Sequence, residues 1–285
     1  MRDRSRIIAP MNKLNTTERA QIIRCLVDGN SIAATCRICG RSKRAVLRLL
    51  CDLGKACAKF HNENVRGIPS ARIQVDEIWN FCYAKKKNVP AEFDGKFGYG
   101  DVWTWVGVDA DTKLIISYHV GKRDGWDAHQ FIGDLRDRVV NNPQLTSDAL
   151  RAYLKPVAEF FGADADYAQL LKVFGPTSHG TESRYSPPEV IACVATPISG
   201  NPDPRHISTS YVERSNLTMR MSMRRFTRLT NAFSKKLENL KHSVEVNFMY
   251  YNYCRIHQTL RVTPAMEAGL ADHVWEVEEL IDLLD

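Results

Sequence analysis

The chain has 285 residues, 44% hydrophobic and 25% charged, with a net charge of +6. That length can bury one sizeable core plus a small accessory unit, and the composition is that of an ordinary globular protein. No apolar run approaches the ~20 residues of a membrane span, the charged start lacks the apolar stretch of a secretion signal, and eight scattered cysteines read as reduced thiols of a cytoplasmic protein rather than a disulfide framework.

Charge is unevenly spread. Residues 1–62 carry thirteen Lys/Arg against four Asp/Glu, Arg205–Lys236 carries eight Lys/Arg and one acid, and Glu267–Asp285 carries seven acids and no Lys or Arg. Two basic blocks and an acidic end fit a nucleic-acid partner better than a membrane.

Taken in chain order, Asn15-Thr16-Thr17-Glu18 predicts a capped helix start, with Asn15 as cap and Glu18 reaching back. Ala20, Ile23, Leu26 and Val27 follow at helical spacing. Gly29-Asn30 ends that helix, Ser31 begins a second, Gly40 turns the chain, and Ser42 caps a third with Val46, Leu47 and Leu50 on its apolar side. Three short helices with a basic third one form the helix-turn-helix pattern, whose last helix enters the major groove. Arg44 and Arg48 are then the candidates for groove contacts, and Arg41 and Lys43 for phosphate. The plain alternative is a three-helix bundle with a solvated basic face.

Cys36 and Cys39 are at metal spacing, and Cys51, Cys57 and His61 could complete a zinc site. Cys51 and Cys57 make no second close pair, however, and Cys36 and Cys39 fall inside a predicted helix, so buried free thiols are expected.

A linker is expected at 61–70. Strand signals follow at Arg72–Tyr83, Val102–Asp109 and Leu114–Val120, the last two joined by the turn Ala110–Lys113. Trp126–Val140 predicts a helix stopped by Pro143, Gln144–Asp148 a short strand, and Ala149–Phe161 a helix. Gly162–Ser186 has no clear pattern and reads as an insertion. Glu189–Thr196 predicts a strand, and a long basic helix or helix pair begins at Ser208. The order predicts an α/β body over 71–266, a mixed sheet with flanking helices, preceded by the small all-α unit at 1–60 and followed by an acidic helix at 267–285.

Three carboxylates occupy positions that a folded core does not need. Asp76 sits inside the apolar strand Ile73–Trp79, where a charge is expensive unless paired or bound to metal. Adjacent strand residues face opposite ways, so Asp76 and its neighbour Glu77 are not expected to share a site. Asp148 ends a strand, where ligands of open α/β sheets gather; the alternative is a helix N-cap. Glu213 is the lone acid in the basic block. Nucleic-acid phosphate would repel it unless a cation lies between them; the alternative is an ion pair with Arg214 or another arginine. Three converging carboxylates suit two Mg²⁺ ions, or Mn²⁺, acting on a phosphoryl group. Asp109 and Asp111 serve a turn, and Asp134 and Asp137 are expected on an exposed helix face.

Val75–Trp79, Leu145–Asp148, Ser208–Arg220 and Tyr251–His257 resemble transposases of bacterial insertion sequences, and the chain is most similar to the insertion-sequence-one family of the aspartate-aspartate-glutamate superfamily. The resemblance covers almost the whole chain. It implies a ribonuclease-H-like body, Mg²⁺ dependence and cutting and joining of double-stranded DNA, at the element's ends and at a target, by a homo-oligomer assembled on that DNA. Its triad falls on Asp76, Asp148 and Glu213, and its basic residue seven positions after the glutamate on Arg220. Arg214, Arg220, Arg224, Arg225 and Arg228 are the DNA-contact candidates of this block, with Met219, Met221, Met223 and Phe226 on the buried side. Where the family has glycine after the second aspartate, this chain has Ala149. A DNA-binding regulator without catalysis would need the basic head but not the second and third carboxylates, and a general nuclease would need no basic head.

Overall fold

The computed structural model describes residues 14–175, 189–227 and 230–285. Three helices come first: α1 (Thr16–Val27), α2 (Ile32–Cys39) and α3 (Lys43–Asn64). Their boundaries follow the local chemistry. The Asn15 side chain accepts from the Glu18 amide and Glu18 returns a bond to the Asn15 amide; Ser31 and Ser42 cap α2 and α3. Gly40, at φ +62°, takes the left-handed turn after α2 that a side chain would resist.

Strands β1 (Arg72–Cys82), β2 (Gly100–Asp109), β3 (Ile115–Gly121), β4 (Gln144–Asp148), β5 (Asp166–Phe174) and β6 (Val190–Ser199) form a mixed sheet in the order β3-β2-β1-β4-β5-β6. β1 pairs antiparallel with β2 and parallel with β4; β4 and β5 are parallel, and β5 and β6 antiparallel. Helices α4 (Gly125–Arg138) and α5 (Leu154–Phe160) precede β5 in sequence; α6 (Ser210–Ser222), α7 (Leu237–Met249), α8 (Pro264–Glu267) and α9 (Val277–Asp282) follow β6. The protein is therefore mixed α/β, with helices flanking a sheet of six strands among the described residues. Among those residues no helix is long and apolar enough to cross a membrane.

Two apolar clusters flank the sheet. Ile78, Val102, Val106 and Ile115 meet Val212 and Met219 of α6 and Leu240 and Val244 of α7. Ile73, Val75 and Trp105 meet Phe131 and Leu135 of α4, and the same cluster runs without a break into Ile22, Ile23, Leu50 and Leu53 of the first helices and Leu280 and Ile281 of α9.

This continuity changes the expected domain plan. α3 is 22 residues long, not short, and extends through Asn64 into the segment expected as a linker. Val65 and Ile68 within 61–70 are buried in the common core. A linker needs solvated polar residues; here apolar side chains fix the connection. Gly54 lies so close to α7 that a Cβ there would stand 2.5 Å from the Cβ of His242. α1 is joined to α9 by an Arg24–Glu278 ion pair at 2.5 Å. The acidic tail at 267–285 is not one helix: α8 ends at Glu267, and only Val277–Asp282 is helical beyond it.

Two further expectations are corrected. The patternless segment contains β5, a full strand between β4 and β6; 176–188 lie outside the described residues. The basic helix does not continue from Arg220 to Arg228. α6 stops at Ser222, Arg224–Phe226 form a single 3₁₀ turn, and Met221 is 70% exposed rather than buried.

Candidate functional site

The β1–β4 ladder ends at Val75↔Ser147, while β1 runs on against β2 to Cys82. Asp76 and Asp148 are next in line where β4 stops, so both carboxylates stand at an open notch in the sheet. One oxygen from each of Asp76, Glu77 and Asp148 lies within 4.8 Å of the others. The expectation that Asp76 and Glu77 could not share a site is thus corrected. Their Cβ atoms do point to opposite faces, but the sheet has no strand beyond Asp148 to separate them, and Arg123 joins the two sides. Its Nε donates to Glu77 Oε1 at 2.6 Å and its guanidinium lies 3.5 Å from Asp148 Oδ2.

Each carboxylate has a distinct setting. Asp76 accepts from Asn216 Nδ2 at 2.8 Å; burial, and then the charge of Asp148, push its pKa up to about 7. Asn216 Oδ1 is buried and has no hydrogen-bond partner. The Glu77 side chain is 1% exposed and takes a second bond from Tyr153 Oη at 2.9 Å. Burial, followed by the charges of Asp148 and Asp76, brings it to about 7 as well. Asp148 accepts from the Leu150 amide at 3.0 Å, so it shapes a turn rather than capping a helix, and burial raises its pKa.

Glu213 stands outside this tight group. The amides of Tyr211 and Val212 bind Gln74 Oε1 at 2.8 and 3.2 Å, which pins the start of α6 onto β1. Glu213 pairs with Lys172 of β5 and accepts from Thr209 Oγ1 at 2.6 Å. Its charge still raises the pKa of both Asp76 and Asp148. Its ion-pair partner is Lys172 rather than Arg214.

Among the described residues, the cluster of three or more potential metal ligands is this acidic one. It fits a hard cation. All three donors are carboxylate oxygens, the ligand type that Mg²⁺ prefers, and the Asn216 amide that binds Asp76 has a buried Oδ1 without a partner. Of the zinc candidates, Cys39 lies 3.9 Å from Cys25, a thiol outside that set, and His61 is engaged through Nε2, 3.0 Å from the Ile116 carbonyl.

The basic residues divide. Arg41 is tied to Glu18, and Arg48 faces Asp52 at 3.8 Å; Lys43, Arg44, Arg214 and Arg224 are exposed. Arg225 turns inward, where Nη1 bonds Ser234 Oγ at 2.5 Å and burial lowers its pKa to about 10. That removes it from the expected DNA-facing row. Arg220 bonds the Phe226 carbonyl at 3.3 Å, and Arg228 lies outside the described residues. Asp134 is not on an open face but accepts from Ser117 and Arg138.

Sequence reasoning missed Glu77, Arg123, Tyr153 and Lys172. Strand alternation excluded the first; Lys172 lies in the segment without a pattern. Tyr153→Phe checks the buried pair directly. Loss of a donor to a buried carboxylate costs about 1.5–3 kcal/mol. Denaturant unfolding should show that loss at pH 8.5 and a smaller one at pH 5.5, where Glu77 is protonated. Equal losses at both pH values would mean that Glu77 stays charged throughout.

The chain matches no protein-family model and no curated protein.

Proposed function

We propose that this chain is a transposase of insertion-sequence-one type, binding the ends of its element and cutting and joining DNA strands with Mg²⁺ or Mn²⁺. The observation that carries the reading is the placement of Asp76 and Asp148 at one notch of the sheet, beneath a basic helix whose only acid, Glu213, acts on the charge of both. A mixed sheet with helices on its faces is compatible with a ribonuclease-H-like body.

Asp76 and Asp148 would hold the metal, with Glu213 on the side of α6. A bound divalent ion would supply charge neutralisation and an activated oxygen for phosphoryl displacement. The chain's own groups prepare that step. Asn216 fixes the Asp76 carboxylate, Leu150 fixes Asp148, and Arg123 and Tyr153 hold Glu77 in place behind them. Lys43, Arg44 and Arg48 on α3, and Arg214 and Arg224, supply exposed cations for DNA.

The test is nicking of duplexes made from the DNA flanking the coding sequence. We expect cleavage with Mg²⁺ or Mn²⁺, none with a chelator, and none from Asp148→Asn, which should still bind the duplex. A folded wild-type protein that binds these ends yet never cuts them with Mn²⁺ would overturn the reading. It would favour a DNA-binding regulator instead, for which the Arg123 bridge between Glu77 and Asp148 is the specific support: an arginine can neutralise such carboxylates without any metal.

A further inference from the structure

On the other flank of α6 lies a second charged site of opposite sign. Glu213, Asn216 and Arg220 follow one side of the helix. Tyr211, Arg214, Ser215 and Thr218, at spacings of three, four and seven, follow the other, roughly half a turn away. That second side lines a cavity of about 290 Å³ with Lys113 from the β2–β3 turn and Arg255 and His257 from the segment after α7. No carboxylate is among its lining residues.

Its two arginines carry no ion pair: among the described residues Arg214 and Arg255 form none within 4.0 Å, although carboxylates elsewhere do, Glu213 with Lys172 and Asp203 with Arg205. The nearest acids flank Lys113 and are already engaged: Asp111 by Arg72, and Asp109 by the amides of Asp111 and Thr112. Burial, then Lys113, Arg255 and Arg214, lower the pKa of His257, so all three cations act on its charge. His257 Nδ1 is held by Thr259 Oγ1 at 3.0 Å. The lysine is itself costly to place. Lys113 adopts φ +62°, a left-handed turn position where glycine or asparagine would be easier, and its ammonium lies 3.5 Å over the Tyr211 ring. The ammonium also donates to the Ala110 carbonyl of its own turn, so the side chain spans the turn and the edge of the cavity.

We propose that this cavity is a phosphate-binding site that grips a backbone phosphate of nucleic acid on the side of α6 away from the carboxylates. At about 290 Å³ the cavity lies at the small end of the roughly 300–1,000 Å³ range of small-molecule sites, with ample room for a phosphate group. Two arginines without an ion pair, a lysine and neighbouring hydroxyls around one cavity are the donor chemistry that phosphate takes. The anion chemistry stands on the cavity alone; the choice of nucleic acid as its source rests on the function proposed above.

The experiment measures binding of the full chain to a 30-base-pair duplex over a KCl series, with chelator present so that cleavage plays no part. Each phosphate contact contributes about 0.9 to the slope of log affinity against log salt. We expect Arg255→Gln and Lys113→Gly each to lower that slope by about that amount. Glycine suits the backbone at position 113, which offsets the lost contacts of Lys113 with the Ala110 carbonyl and the Tyr211 ring, so Lys113→Gly should melt near the wild-type temperature, which separates lost binding from lost fold. Calorimetry with inorganic phosphate, as its potassium salt, is the second arm. Unchanged salt slopes in both variants overturn the proposal. If inorganic phosphate binds the wild type and not Lys113→Gly while the slopes stay unchanged, the pocket serves a small phosphate compound and the nucleic-acid assignment is overturned. Neither result touches the metal-dependent cleavage test, so the two readings fail separately.

Discussion

Asp76→Asn should abolish strand cleavage and at the same time stabilise the metal-free protein. Losing a metal position removes several kcal/mol of transition-state stabilisation, a fall of about 10³-fold or more. The stability change has the opposite sign. Burial and Asp148 raise the Asp76 pKa from 3.8 to about 7, so between those values the folded state holds a proton that the unfolded chain has lost. Folding stability therefore falls as pH rises from about 4 to about 7 and stays low above it. Asparagine carries no such cost, so without metal the variant should exceed the wild type by on the order of 2–4 kcal/mol at pH 8 and match it near pH 4. Mg²⁺ at a hundred times its dissociation constant should add ~2.7 kcal/mol to the wild type and little to the variant. Urea unfolding at the two pH values, with and without Mg²⁺, checks all three. A variant less stable than wild type at pH 8 without metal would mean that Asp76 is held by a partner that needs its charge.

Gly54→Ala should destabilise the whole protein, although alanine is the better helix former. On an exposed helix the exchange would gain ~1 kcal/mol. Here the added carbon would meet His242 Cβ at 2.5 Å and Cα at 2.7 Å, closer than packed atoms approach. Overpacking a core costs about 1–3 kcal/mol, and part of the obstacle is backbone of α7, which cannot rotate away. We expect a net loss of about 1–2 kcal/mol, more for Gly54→Val, and a single unfolding transition seen alike by far-ultraviolet circular dichroism and tryptophan fluorescence. A stabilised Gly54→Ala protein, or two transitions, would show the first three helices to be a detachable unit after all.

Much of the body was legible. The α1 capping box, the β2–β3 hairpin, α4 and the short strand ending at Asp148 all stand where periodicity and turn residues place them. Asp76 was legible because a charge inside Ile73–Trp79 has no structural reason to be there. What stayed hidden depended on contacts distant in sequence. β5 lies one strand from the sheet edge, and its apolar Leu171 and Phe174 are exposed, so no clean buried/polar alternation marks it; without that strand Lys172 could not be paired with Glu213. Glu77 was set aside by strand alternation, a rule that assumes a continuous sheet; the early end of β4 suspends it. Arg123 lies in a loop, and nothing in Lys122-Arg123-Asp124 announces two carboxylate partners. The helix through Arg228 failed because spacing alone cannot show where a helix stops.

The pairing of α1 with α9 bears on how the chain is made. Arg24 and Glu278 are 254 positions apart, and Val277, Leu280 and Ile281 cover the apolar side of the first helices. On a ribosome adding roughly 5–20 residues per second, those helices emerge about ten to fifty seconds before their cover. Through that interval Ile22, Ile23 and Leu53 lack their final neighbours, so the basic surface of the first helices reaches its finished shape only once synthesis has passed Ile281.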